Sequence, residues 1–184
     1  MEYKDFLKHT ADVKGVSVGI LEDAMKKIAY HETGPRQRLD AAARQLPTGP
    51  GRGLFMFEVG ANMGGAVAVR RTYQYLKRKG LSVPSWLEEL NPLKIGSIDV
   101  AGMLTEEEQK YIFLGNYLQH PKANLAQLGG GDSAIANFWL NYHWAGPSKL
   151  RNKRLKSFYA SLNDMQGKKV AIKESKRQLR IIIR

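Results

Sequence analysis

The chain has 184 residues, 43% hydrophobic and 25% charged, the balance of one globular domain of ordinary size. This excludes a disordered tail protein, a collagen-like fibre and a heptad rod. The absence of cysteine also excludes disulfide scaffolds, iron–sulfur sites and thiol nucleophiles. The 29 Lys/Arg and 17 Asp/Glu give a net charge of +12.

The charge is uneven: residues 1–147 hold 17 Lys/Arg against 15 Asp/Glu, and residues 148–184 hold 12 against 2. A basic segment of this kind either seeks an anionic surface, such as nucleic acid, acidic lipid or an envelope polymer, or is a solvated tail that aids solubility. No stretch approaches the ~18 apolar residues of a membrane span. Met1 to Gly15 carries Glu2, Lys4, Asp5, Lys8, Asp12 and Lys14. It has no apolar core of a leader peptide, so no secretory signal is expected.

Residues 16–32 read as an amphipathic helix. Val18, Leu21, Met25, Ile28 and Glu32 recur at intervals of three or four, the spacing of one helical face. Ser17 is a candidate N-cap, Glu22 and Asp23 suit the first turns, and Gly34-Pro35 stops the helix. Residues 35–53 are rich in Pro and Gly and read as loop, densest at Gly49-Pro50-Gly51-Arg52-Gly53. An apolar run, Leu54-Phe55-Met56-Phe57, follows.

A helix is expected from about Ala66 to Lys79, closed by Gly80. Residues 81–104 are mixed and interrupted by proline. Thr105-Glu106-Glu107-Glu108 is a capping box opening a helix to about His120. Gly129-Gly130-Gly131 reads as a flexible break. Asp132 or Ser133 can cap a helix over 134–144 with Ile135, Phe138, Trp139 and Tyr142 on one face. Lys149 to Leu162 reads as a basic amphipathic helix. Beyond Gly167, residues 168–172 suit a strand and 174–180 a helix. The sum is a mainly α fold with long irregular loops.

Three features bear on chemistry. Glu32 shares its stripe with Leu21, Met25 and Ile28, so its carboxylate is expected at the edge of apolar surroundings. Desolvation there raises a carboxyl pKa and suits a general acid. The alternative is a carboxylate that turns into water at the last helical turn. The glycines at 49, 51 and 53 let backbone approach a ligand or another helix, and Arg52 can pair with a carboxylate or substrate oxygen; a plain loop is the other reading. The run lacks the spacing of a phosphate loop or a dinucleotide fingerprint. In the aromatic cluster, Phe138, Trp139 and Tyr142 suit the core, while His143 and Trp144 suit a cleft wall. His31-Glu32 begins like a zinc-protease helix, but Pro35 stands where the second histidine belongs. No metal or other cofactor is expected.

Three segments in this order resemble the lytic transglycosylase and goose-type lysozyme superfamily, in particular bacteriophage peptidoglycan-degrading domains. GVSVGILEDAMKKIAYHETG, residues 15–34, resembles the helix that delivers that family's catalytic glutamate. GPGRGLFMFE, residues 49–58, resembles its Gly-Leu-Met-Gln block, and NYHWAGP, residues 141–147, resembles its Ala-Tyr-Asn-Ala-Gly-Pro block.

The resemblance implies a lysozyme-like helical domain with a substrate cleft. It implies Glu32 as the catalytic acid, Thr33 in the small-hydroxyl position, and saccharide contacts from Arg52, Gly53, Leu54, Met56, Tyr142, His143 and Trp144. Met56 stands where the family has Gln, so the polar contact to the sugar is either missing or supplied by Glu58. No Asn follows Tyr142. If water is the acceptor a second carboxylate is needed, and Glu58 and Asp40 are the candidates.

The expected division is a catalytic domain over 1–165 and a basic tail over 166–184. The expected activity is cleavage of the β-1,4 bond between N-acetylmuramic acid and N-acetylglucosamine in peptidoglycan glycan strands. The implied setting is a virion protein made in the host cytoplasm and acting on the wall in the periplasm. Other virion proteins or packaged DNA are further partners for residues 148–184. Three rivals share these features: a non-enzymatic virion protein with a lysin-like fold, a basic nucleic-acid-binding protein, and an enzyme of the same fold that cuts the peptide crosslink instead.

Overall fold

The computed structural model describes residues 1–60, 64–144 and 146–182, with 168–182 described by backbone alone. The protein is mainly helical, as its periodicity predicts. In chain order the helices are α1 (Tyr3–Lys14), α2 (Val18–Glu32), α3 (Gly64–Arg78), α4 (Ser85–Glu89), α5 (Val100–Met103), α6 (Glu106–Leu118), α7 (Gly131–Phe138) and α8 (Arg151–Ile182). Among the described residues no helix is long and apolar enough to cross a membrane.

The charged N-terminus, which suggested no element, is helix α1. It buries Phe6, Leu7, Thr10 and Ala11, pairs of neighbours one helical turn apart, which is enough for a face. Phe6 stacks on Tyr111 of α6 at 4.1 Å between ring centroids. Gly15 ends the helix with φ of 64°, a backbone setting that only glycine adopts cheaply.

The N-cap of α2 is as expected: Ser17 Oγ accepts from the Ile20 N–H at 3.2 Å. Its first turn holds no acidic residue. Asp23 lies deeper and pairs with Lys27 at 2.5 Å. Leu21, Ala24, Met25 and Ile28 are all buried.

Helices α3 and α6 cross in close contact. A Cβ on Gly115 would lie 2.2 Å from Thr72 Oγ1, so glycine is what lets the two backbones meet there. The capping box of α6 is complete, with Thr105 accepting from Glu108 N–H and Glu108 accepting from Thr105 N–H.

Three expectations about the C-terminal half are corrected. The triple glycine closes a 3-10 turn (Leu125–Gly130) and opens α7. Asp132 caps nothing and instead pairs with Lys27 at 2.5 Å. Residues 168–172 are helical, because α8 continues through Gly167; once a helix is established, each further residue adds a hydrogen bond, which outweighs the ~1 kcal/mol cost of one glycine. Helix α8 is anchored through its first half: Phe158 and Leu162 are buried, and Asp164 accepts from Tyr30 Oη at 2.7 Å and pairs with Arg38.

Residues 35–60 carry little regular structure. A minimal antiparallel hairpin forms between β1 (Gly51–Arg52) and β2 (Phe57–Glu58), with Gly51 opposite Glu58 and Arg52 opposite Phe57. A strand pair this short is marginal by itself. It is held by Gln109 of α6, which is fully buried. Its Oε1 accepts from the Leu54 N–H at 2.8 Å. Its Nε2 donates to the carbonyls of Ala41 at 2.9 Å and Leu104 at 3.0 Å. Replacing Gln109 with Leu keeps the volume and strands these buried backbone groups, so urea unfolding should show a loss of about 3 kcal/mol; a loss under about 0.5 kcal/mol would show that the amide is dispensable.

Candidate active site

Glu32 ends α2 and faces a cavity of about 470 Å3. Its wall is built by Met56, Phe57 and Glu58 of the hairpin, Arg71 of α3, Asn116 and Tyr117 of α6, and Tyr142, His143 and Trp144. The segment Trp139–His143 is a single π-helical turn, with the Trp144 N–H donating to the Trp139 carbonyl at 2.8 Å. Such widened turns re-aim side chains and recur at functional sites. Here the turn brings both the Trp139 indole and the His143 ring to Glu32.

The Trp139 Nε1–H donates to Glu32 Oε1, and His143 Nε2 lies 3.8 Å from the same oxygen. The Glu32 side chain is 17% exposed. Burial raises its pKa above the ordinary carboxyl value, and this outweighs the opposing pull of the His143 charge, the Trp139 hydrogen bond and Arg154. The carboxyl therefore holds its proton to higher pH than a solvated glutamate does.

The His143 ring is held on both nitrogens. Nε2 is 2.6 Å from the Phe55 carbonyl, which can only accept, so this nitrogen carries a proton. Nδ1 is 2.7 Å from Tyr117 Oη. In the neutral ring the tyrosine donates to Nδ1. In the charged ring Nδ1 donates, and the tyrosine proton turns to the Tyr142 carbonyl at 3.3 Å. The surroundings thus accommodate either charge state. Behind Trp139, His31 packs edge-on at 4.6 Å between centroids and contacts Ser161 Oγ at 2.9 Å. Burial, with help from the Arg154 and His143 charges, lowers its pKa to about 4.

Six of the residues singled out from sequence converge on this cavity: Glu32, Glu58, Met56, Tyr142, His143 and Trp144. Four others do not line it. Thr33 is buried, its Oγ1 donating to the Ala29 carbonyl and accepting from the Leu39 N–H, so its hydroxyl is spent on closing α2. Arg52 donates to the carbonyls of Gly49 and Gly51 at 2.7 and 2.9 Å. Gly53, with φ of 73°, lies so close to Gln109 that a Cβ would stand 2.2 Å from Oε1; its close approach is to the protein itself. Leu54 is buried. Asp40, the other carboxylate considered, is exposed and accepts from the Ala42 N–H. Sequence reading missed Arg71, Asn116 and Tyr117, and took Trp139 for core alone. A polar tip on a buried tryptophan is the signal that was available.

No group of three or more His, Asp or Glu among the described residues is placed to hold a metal ion. The chain matches no family model, no curated protein and no solved structure.

The raised Glu32 pKa has a consequence for stability. The folded protein binds this proton more tightly than the unfolded chain, so the group's stabilising share is complete below the ordinary value of 4.5 and is lost as pH rises through the raised pKa. Glu32→Gln should therefore be more stable than the parent at pH 7. That advantage should fade on acidification and vanish below about pH 4.5. Chemical denaturation of both proteins from pH 4 to 8 checks this, and the His31 contribution, common to both, cancels in the difference. A constant offset across the range would contradict it.

Proposed function

We propose that the protein cleaves the β-1,4 bond between N-acetylmuramic acid and N-acetylglucosamine in peptidoglycan, as a virion-associated lytic transglycosylase or muramidase. In this reading the helical body is a lysozyme-like scaffold and the cavity beside Glu32 is its saccharide cleft. The observation that carries the reading is a carboxyl at a helix end, its pKa raised by burial, opening onto a groove walled by aromatic rings. Resemblance of residues 15–34, 49–58 and 141–147 to that superfamily supports it independently.

The chemistry follows from the surroundings of Glu32. Its proton passes to the glycosidic oxygen as the bond breaks. The carboxylate left behind accepts from the Trp139 N–H and faces the His143 ring, which stabilises the charge as it forms. Glu32 then takes a proton back. From the muramic 6-hydroxyl this gives a 1,6-anhydro product and needs one carboxylate. With water as the acceptor the product is a reducing end, and in an inverting route the water proton goes to a second carboxylate ~6.5–9.5 Å away instead of to Glu32. Glu58, exposed on the same cavity wall, is the residue for that part.

Glu32→Gln should lower clearing of peptidoglycan in a zymogram by at least ~100-fold, the lower range for losing a general acid. Mass spectrometry of the products separates anhydro from reducing ends. Activity within a few-fold of the parent would reject Glu32 as the acid, and an inactive parent would leave a structural virion module.

The basic segment serves docking in this reading. Helix α8 presents Lys153, Arg154 and Lys156 to solvent and continues into residues that carry most of the remaining charge. The polyanion is an envelope polymer or packaged DNA. Deleting residues 166–184 should weaken retention on both DNA and cell walls, with a shallower dependence of affinity on salt. Unchanged retention on both would remove this role.

A further inference from the structure

The cavity contains a cation that the acid chemistry leaves unused. Arg71 projects from α3 into the wall, and among the described residues it is the only Lys or Arg that lines the cavity. Its Nη1 donates to Asn116 Oδ1 at 2.9 Å. Asn116 is itself 9% exposed, so the guanidinium is held by a fixed, neutral acceptor. None of the ion pairs among the described residues involves Arg71.

That arrangement is unusual for a half-buried arginine. A guanidinium has five N–H donors in a planar fork, and one amide oxygen satisfies only part of it. Burying a charge is offset well only by an opposite charge. The neighbouring carboxyls do not provide one: Glu32 is held towards its neutral form, and Glu58, on the same wall, makes no ion pair among the described residues. Burial raises the pKa of the Tyr117 hydroxyl and lowers that of His120; the Arg71 charge acts across the wall on both, opposing the first shift and adding to the second. The cavity therefore pairs a proton donor with an uncompensated, pre-oriented cation.

We propose that Arg71, positioned by Asn116, is a subsite for a carboxylate carried by the glycan. The assignment rests on the glycan-cleavage reading and deepens it: the substrate is an anionic saccharide, distinguished from neutral N-acetylglucosamine polymers. The carboxylate has two sources of the same chemistry. In peptide-free strands it is the lactyl group of N-acetylmuramic acid. In substituted strands the lactyl group is tied up in an amide and the carboxylate belongs to the attached peptide. A bidentate guanidinium–carboxylate contact supplies both affinity and orientation.

Isothermal titration of the full chain in the Glu32→Gln background tests this. The ligands are an N-acetylglucosaminyl–N-acetylmuramic acid disaccharide, the same disaccharide with its lactyl group amidated, and a peptide-bearing muropeptide alongside a form with its peptide carboxylates amidated. With Arg71 intact, a carboxylate form should bind roughly tenfold more tightly than its amide, the scale of one charge-assisted contact. A preference within the disaccharide pair assigns the lactyl group, and one within the muropeptide pair assigns the peptide. In Arg71→Gln, which removes the charge and keeps a polar amide, the preference should fall to about one. Arg71→Lys keeps the charge without the fork and should retain part of it, which preserves the test if the Gln variant folds poorly. Equal binding of carboxylate and amide forms with Arg71 intact, or an undiminished preference in a folded Arg71→Gln protein, overturns the subsite while leaving glycan binding in place. No binding of any of the four saccharides removes the glycan reading and the subsite together.

Discussion

The desolvation of one carboxyl group organises this protein. Glu32 sits where α2 runs out of helix but not out of core, and its side chain is left 17% exposed. A charge in that position is costly; the Trp139 indole donates to it, and the His143 ring lies 3.8 Å away with its Nε2–H given to the Phe55 carbonyl. Burial still prevails in setting the pKa direction. The indole and the imidazole do not abolish the proton-holding state; they make the ionised state reachable. Both arrive on one π-helical turn. In a regular α-helix residues 139 and 143 would also share a face, but the wider turn lets His143 reach the Phe55 carbonyl and Tyr117 together.

The other half of the cavity has no such regular support. The hairpin carrying Met56 and Glu58 is two residues per strand, and Met56 takes a positive φ of 45°. Buried backbone polar groups in that loop have few strand partners, so a side chain substitutes for a ladder. Gln109 does this from α6, tying the segment at Leu54 to those at Ala41 and Leu104. Precision at the loop wall is thus set by one helix interior and not by the loop's own sequence. The same helix carries Asn116 and Tyr117, so the hairpin, the Arg71 anchor and the His143 anchor share a rigid element.

Legibility in the sequence follows from the range of the interaction concerned. The α2 stripe, the Ser17 cap and the Thr105 capping box are decided within a few residues, and they read correctly. The buried environment of Glu32 is also local in origin, because its register with Leu21, Met25 and Ile28 is set by helical spacing. The N-terminal helix was hidden by its charges, whose alternation conceals a narrow face at Phe6, Leu7, Thr10 and Ala11. The misplacement of Gly53 and Leu54 has a different cause. A glycine needed for close approach does not say what approaches, and Gln109 lies 55 residues away. Thr33 beside Glu32 was likewise ambiguous, since a hydroxyl at a helix end is as useful for closing the helix as for touching a ligand.

The same electrostatic reasoning links the acid to the opposite wall. A saccharide entering the cavity would displace the water that reaches the exposed part of Glu32, and removing water strengthens every interaction in the site. Proton retention by the carboxyl would then increase, while the uncompensated charge of Arg71 would become more costly unless the entering molecule carried an anion. A neutral sugar improves the first condition and worsens the second. An anionic sugar meets both, because its carboxylate relieves the guanidinium while its uncharged ring dries the acid. On this argument the donor and the cation are not separate features of the cavity. Each restricts which ligand the other can accept, and together they favour a glycan with its negative charge held away from the bond to be broken.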